Sequence, residues 1–496
     1  MKKIIIFLCL IAMLIPVVCM TSCGSSETDP SNQNNNTDPE DNPSSNENPN
    51  SGKPENPDGP PSENGTPGIV PGSEGTHTGE NDNDDEDPHD DIPKNDLGLP
   101  PYTGPEYTEK NPAIYIETED GAEIPENKDE VNCLVSLRSK ENDECADDLA
   151  ATIRCRGNGS MTVAKKVGKY PYKIKFRSKI NPFRLGDGKA KDWVLLAHVG
   201  DQSMLRNYAA KLLGDMLGGI PYSANSRLVN VYLNGEYIGV YDMTEQIEVG
   251  EHRVNVDDTR SEAEIGFLVE LDHYASGTYV RVGSQKYAIK SNVYSDEQIE
   301  FIQDYLQQVE DAIEEGDQKK LSELVDMDSV VDTYIVQEFS KNIDVGWSSF
   351  FMYRDVGGKL TFAAPWDFDL SFGNDARLHN GSYEELYVGP GDNIMQDHLW
   401  YNALYENTWF QSLVQQRWRE VTKTLIPATI RAVRNAADDI MEDMEKNYEK
   451  WDILGKKQQQ EPRQVYNLTT YKEHIDYLIS WMENRQAWLD SEFSVV

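Results

Sequence analysis

Two aspartates separated by one aromatic residue are the sharpest chemical feature of this sequence: Asp367 and Asp369 in PWDFDLSFGND (365–375). The hydrophobic run LTFAAPW before them predicts a strand, and alternate residues of a strand share a face. Two carboxylates on one face repel each other and lose hydration, a cost that a bound cation offsets. Hard oxygen ligands favour Mg2+ or Mn2+, and these in turn favour phosphate chemistry. A lone DxD at a strand end is more often a solvated turn, so the pair needs company elsewhere in the chain.

Phosphoryl transfer also requires a basic side chain on the phosphates and a carboxylate near the attacking hydroxyl. Lys173 and Lys175 alternate in PYKIKF and share a strand face, from which either can reach phosphates. Glu245 ends the strand YDMTEQ, where it can orient that lysine as an ion-pair partner. RGNGS (156–160), read as a loop between strands, can present backbone N–H groups to phosphate, although it lacks the three-glycine spacing of a nucleotide loop. Arg206 follows Asp201 and Ser203, either of which is a suitable N-cap; it can point at a phosphate or pair with a carboxylate. Asp344, in the polar loop of SKNIDVGWSSF, suits a catalytic carboxylate.

The elements that must position these residues divide by pattern. Short β-branched and aromatic runs fill 112–180, and a helical apolar spacing covers 203–217. A hairpin turning at Asn234-Gly235 follows, then strands at 264–274 and 279–290. From Ser295 the spacing is helical, apart from a hairpin that delivers Asp367 and Asp369, and 409–488 is mostly helix. This is an α+β chain, β-rich first and helix-rich second, which predicts two lobes with a cleft between them.

The first 22 residues read as a signal peptide, with Lys2 and Lys3 ahead of an apolar stretch, and Cys23 sits where a lipobox places its acylated cysteine. That predicts a lipid-anchored protein of the cell envelope, outside the cytoplasm, with membrane contact through Cys23. Residues 23–110 are rich in Pro, Asn, Ser and acid and read as a disordered stalk. From Gly24 to Lys110 there are 21 Asp and Glu against three Lys, net −18 of the chain's −40. The remainder is still strongly acidic, which argues against a nucleic-acid partner and suits a basic protein partner. The run NDNDDEDPHDD (81–91) lacks EF-hand spacing. Cys133, Cys145 and Cys155 permit one disulfide and one free thiol.

RGNGS, KKVGKYPYKIKF, WVLLAHVGDQSMLRN, VNVYLNGEYIGVYDMTEQI and PWDFDLSFG, in this order, resemble the spore-coat CotH kinase family, from about Ile114 to about Trp488. LYENTWFQSLVQQRWREV (404–421) is similar to that family's C-terminal helical section. The resemblance implies a bilobed, atypical protein-kinase-like fold over 111–496. It also implies transfer of the γ-phosphate of ATP, with Mg or Mn, to Ser or Thr of secreted or coat proteins. Carried over motif by motif, Lys173 contacts phosphates, and Glu245 is its partner or a ligand of a second metal. Asp367 is the principal metal ligand and Asp369 assists. Trp366 stacks on adenine, Asp344 is the catalytic Asp, and Arg156, Lys175 and Arg206 complete the nucleotide set. The chain departs from the pattern at Gly159, where members commonly carry a hydroxyl residue, and in a long loop at 376–398. A competing expectation is a non-catalytic surface scaffold or pseudokinase on an acidic stalk, with Trp347, Trp400, Tyr401, Trp409 and Trp418 offered to sugars or proteins.

Overall fold

The computed structural model describes residues 97–99, 107, 110–389 and 400–494. The signal peptide, Cys23 and nearly all of the stalk lie outside the described residues. Among the described residues, no helix is long and apolar enough to cross a membrane.

Seven strands carry the first half: β1 (Ala113–Thr118), β2 (Val131–Arg138), β3 (Ala146–Cys155), β4 (Tyr172–Ile180), β5 (Ala190–Leu196), β6 (Ser226–Leu233) and β7 (Glu236–Glu245). They close into a barrel in the order β1-β2-β3-β4-β5-β7-β6, with β1 and β6 pairing in parallel at the seam. Closure removes the exposed edges that an open sheet of this size would present. Alternate side chains, including Ile114, Val135, Ile153, Ile174, Trp193 and Met243, fill the interior. The β6–β7 turn is at Asn234-Gly235, both with positive φ, as a two-residue hairpin requires. Two helices interrupt the barrel strands, α1 (Gly159–Val167) and α2 (Arg206–Leu217).

A second, five-stranded sheet has the order β12-β11-β8-β10-β9. Its strands are β8 (Phe267–Leu271), β9 (Tyr279–Val282), β10 (Gln285–Ile289), β11 (Phe350–Arg354) and β12 (Thr361–Ala363). Between β10 and β11 run α3 (Asp296–Glu314), α4 (Gln318–Leu324) and α5 (Met327–Ser340). After β12 come α6 (Trp400–Tyr405), α7 (Thr408–Val421), α8 (Leu425–Lys450), α9 (Arg463–Tyr466) and α10 (Tyr471–Glu492). The architecture is mixed α+β, with a β-rich first half and a helical second half. The hairpin expected after the first helices is β11–β12, and it does not stand within the helical half but pairs with β8 of the earlier strands. The apolar residues form two cores, one inside the barrel and one shared by the helices and the second sheet.

Helix α5 is buried from Ser329 to Ser340, so its polar residues need internal partners. Glu338 accepts the backbone N–H groups of Tyr387 and Val388 and pairs with Arg485, itself wholly buried. All three cysteines of the described residues are free, so the disulfide that the sequence permits is not formed.

Helix α8 packs on α2, on α10 and on strand β7. Lys169, only 1% exposed, seals that junction. Its ammonium donates to the Val240 carbonyl (2.7 Å) and to Asn447 Oδ1 (3.2 Å), beneath the Tyr241 ring. Burial pulls its pKa down from 10.5 to about 7. Between those values the unfolded chain binds the extra proton, so this residue's contribution to stability rises from pH 7 to pH 10. Melting temperatures of the wild type and Lys169→Met are therefore expected to draw apart in the wild type's favour over that range; parallel curves would refute the assignment.

Candidate active site

Strand β12 ends at Ala363, before the two aspartates. Asp367 and Asp369 are therefore not on one strand face, as alternation predicts, but on an irregular segment with positive φ at Ala364, Asp367 and Phe372. Two contacts from α2 hold that segment. Asn207 Oδ1 accepts the Phe368 N–H (2.9 Å), and Arg206 Nε donates to the Ser371 carbonyl (3.1 Å). Pro365 packs so closely on Gly214 that a Cβ there would lie 2.7 Å from the ring.

The segment still brings the acids together. Asp367 is exposed and accepts a hydrogen bond from Ser349 Oγ (3.3 Å). Burial, then Asp367, Asp344 and Asp201, push the Asp369 carboxyl well above the usual carboxylate range. Asp344 sits in a 3-10 turn, Ile343–Gly346, where Asn342 Oδ1 accepts its backbone N–H (3.3 Å). Burial and Asp367 push its pKa up to about 7, against the opposing pull of Arg377. Three carboxylates predicted from two separate motifs thus share one electrostatic neighbourhood.

Positive charge lies against them. The Arg156 guanidinium, under the influence of Asp367 and Glu270, is 5.6 Å from the centroid of Trp366. The Lys211 ammonium is 5.1 Å from the same ring. Trp366 is 9% exposed, so it forms part of the wall and offers little surface for a stacked base. Lys173 lies in register with Arg154 and Val194 on the outer face of the barrel and pairs with Asp192 (2.7 Å). Lys175 is exposed one pleat along.

The expected Lys173–Glu245 pair does not form. Glu245 is in register with Trp193 and Ile174, whose side chains fill the barrel, so alternation turns it away from Lys173. It accepts from Asn225 (N–H, 2.8 Å) and Tyr222 (3.4 Å) and pairs with Arg253 (3.4 Å). Arg206 is not free for phosphate either: its guanidinium is fully buried and paired with Asp201. The N-cap of α2 is Leu205, not Asp201 or Ser203 as expected; those two act just ahead of it, Asp201 Oδ2 accepting the Arg206 N–H (3.1 Å) and Ser203 Oγ the Leu205 N–H (3.3 Å). RGNGS does not simply join two strands; it feeds α1, whose first turn has no side-chain cap.

Two residues that the motif reading passed over complete this wall. Lys211, buried on α2, donates to Asp242 Oδ2 (3.2 Å) and Thr244 Oγ1 (2.9 Å), and His198 Nε2 lies 3.2 Å from the same Asp242 oxygen. A lysine among alanines and leucines in AAKLLGD was the available signal; the buried stripe of α2 runs through Lys211 and Gly214, not through Leu212 and Met216. Of the aromatics offered for a binding surface, Trp400, Tyr401 and Trp418 are buried.

A family model described as CotH kinase protein matches residues 153–489. The chain belongs to this family. The match runs from the end of β3 into α10 and takes in every site residue above, so this CotH protein is kinase-like at the family level. No curated protein matches it. A kinase of this family implies ATP and a divalent cation. The donor set fits a hard cation, since Asp367 and Asp369 supply carboxylate oxygens, and burial and neighbouring acids push the Asp369 carboxyl up. Among the described residues, no three His, Cys, Asp or Glu side chains converge as a metal cluster. Mg2+ commonly takes one or two protein carboxylates and completes its shell with phosphate and water. Replacing Arg206 by Leu strands Asp201 in the interior, at a cost of about 3–5 kcal/mol; the denaturant midpoint should fall accordingly, and an unchanged midpoint with reduced ATP affinity would restore Arg206 to the nucleotide.

Proposed function

We propose that this protein is a lipid-anchored kinase of the cell envelope that transfers the ATP γ-phosphate to Ser or Thr of secreted or surface proteins, in a cleft between two kinase-like lobes. The observation that carries the reading is the placement of Asp344, its pKa raised to about 7, beside Asp367 and Asp369 and close to Arg377.

The bound Mg or Mn nucleotide supplies the electrophilic phosphorus and neutralises phosphate charge. The chain's own residues do the rest. Asp344 orients the acceptor hydroxyl and takes its proton on a carboxylate oxygen. Asp367, with Asp369 behind it, holds the cation. Lys173, steadied by Asp192, places its ammonium on the outer barrel face with Lys175 near it. Arg156 adds fixed positive charge near Asp367, where negative charge accumulates. The uncapped first turn of α1 offers N–H groups that favour an anion. Glu245 acts indirectly, by tying Asn225 and Arg253 at the barrel mouth.

Cys23, once acylated, anchors the chain, and the acidic stalk extends the domain from the membrane. The strong negative charge of the domain suits a basic, Ser- or Thr-rich protein substrate and disfavours nucleic acid.

Asp367→Ala is expected to abolish transfer of labelled γ-phosphate while leaving the circular dichroism spectrum and melting temperature close to wild type, because Asp367 is exposed. Full activity in the folded variant would remove the metal assignment. A chain lacking residues 24–110 is expected to keep the wild-type transfer rate in detergent; loss of transfer would give the stalk a role beyond spacing.

A further inference from the structure

Behind Asp369 three segments meet at Gly200. A Cβ on Gly200 would stand 2.1 Å from Gln459 Oε1 and 3.4 Å from Asp369 Oδ2. Those two oxygens therefore flank one point and are at most 5.5 Å apart. Ligand oxygens on opposite sides of a divalent cation are about 4–5 Å apart. The third segment brings Asn374, which is fully buried. Its Nδ2 gives one hydrogen bond to the Gly200 carbonyl (2.8 Å) and another to the Asp369 carbonyl (2.7 Å). With both amide hydrogens spent, its orientation is determined and Oδ1 is an acceptor. Neither Asn374 Oδ1 nor Gln459 Oε1 has a hydrogen-bond donor, although both atoms are buried.

Two buried amide oxygens without donors cost free energy unless something electropositive meets them. The carboxylate beside them lies among further acids. The loop bearing Gln459 is also built to aim it. Glu461, fully buried, accepts the N–H groups of Gln458 (3.2 Å) and Gln459 (2.7 Å) and the side-chain amide of Gln202 (3.3 Å). The Gln460 carbonyl accepts the Ala376 N–H (2.8 Å), tying this loop to the segment that follows Asn374.

We propose that Gln459 Oε1 is a ligand that, with Asp369, completes a hard divalent-cation site, that Asn374 holds the Gly200 and Asp369 segments around it, and that Gly200 is glycine to leave room for it. This rests on the metal-dependent reading above and explains why carboxylates alone do not converge. It also ties the cation to the loop between α8 and α9, far along the chain from the aspartates.

The test is Mn2+ titration of the full-length protein followed by electron paramagnetic resonance, with no nucleotide, so that activity plays no part. Wild type, Asp367→Ala, Gln459→Leu, Gln459→Glu and Gly200→Ala are compared, with melting curves as the folding control. Gln459→Leu should weaken Mn2+ about tenfold or more. Gln459→Glu should restore or tighten binding, and Gly200→Ala should weaken it by filling the point between the oxygens. Wild-type affinity in a folded Gln459→Leu, alongside loss in Asp367→Ala, would overturn this inference and leave the metal reading standing. Failure of the wild type to bind Mn2+ would overturn both.

Discussion

The first turn of helix α2 is the constraint on which the site depends. Asp201 and Arg206 form an ion pair with no solvent access; Asp201 also accepts the Arg206 N–H at the start of α2, and Arg206 Nε donates to the Ser371 carbonyl, while its Nη2 is left without a hydrogen-bond partner. Asn207, next in sequence, holds Phe368. One turn later Lys211 reaches out to Asp242 and Thr244 on β7. A single helix thus grips the aspartate segment with its first turn and the barrel wall with its second. Removing one member of such a pair leaves an uncompensated buried charge, which makes the junction unforgiving.

That junction sets two kinds of charge against each other. The segment after β12 carries acids, with Asp344 beside them in a neighbouring turn. The barrel contributes cations on its outer face, because alternation there puts Arg154 and Lys173 in one row. Most of the cations already have partners: Lys173 has Asp192, and Lys211 has Asp242. The acids are less well matched: Asp344 feels Arg377 and Asp367 accepts from Ser349, but burial and neighbouring carboxylates push Asp369 up. An arrangement of this sort is destabilising for the protein by itself and becomes favourable with a cation, which is a usual signature of a functional site.

Membership of the CotH kinase protein family bears on this geometry at the level of the reaction class. The residues decide the rest. Glu245 shows why a motif does not carry its own interpretation: the strand ending TEQ is where it was expected, yet its register with Trp193 sends the carboxylate to the barrel interior and to Arg253. Arg206 shows the same for a basic residue, since its guanidinium is buried in an intramolecular ion pair with Asp201.

Local information sufficed for much of the chain. Strand alternation identified the barrel strands other than β5, the Asn234-Gly235 turn located its hairpin, and apolar spacing marked the long helices, because each depends on residues a few positions apart. The carboxylates Asp344, Asp367 and Asp369 were legible too, since their types and their place beside apolar runs are sequence properties. Closure of the barrel was not legible, because it depends on β1 finding β6 more than a hundred residues away. Nor were the partners of Lys173 and Glu245, which follow from strand register, or the burial of Lys211, which follows from packing between α2 and β7. Gln459 and Asn374 beside Asp369 were the least legible of all. Nothing in QQQ or FGND marks them, and only the meeting of three distant segments at a glycine brings the Gln459 amide oxygen and the Asp369 carboxylate to one point, with the Asn374 amide bonded to the backbone of both other segments. Residue type is written in the sequence; which charges end up unpaired is settled by long-range packing.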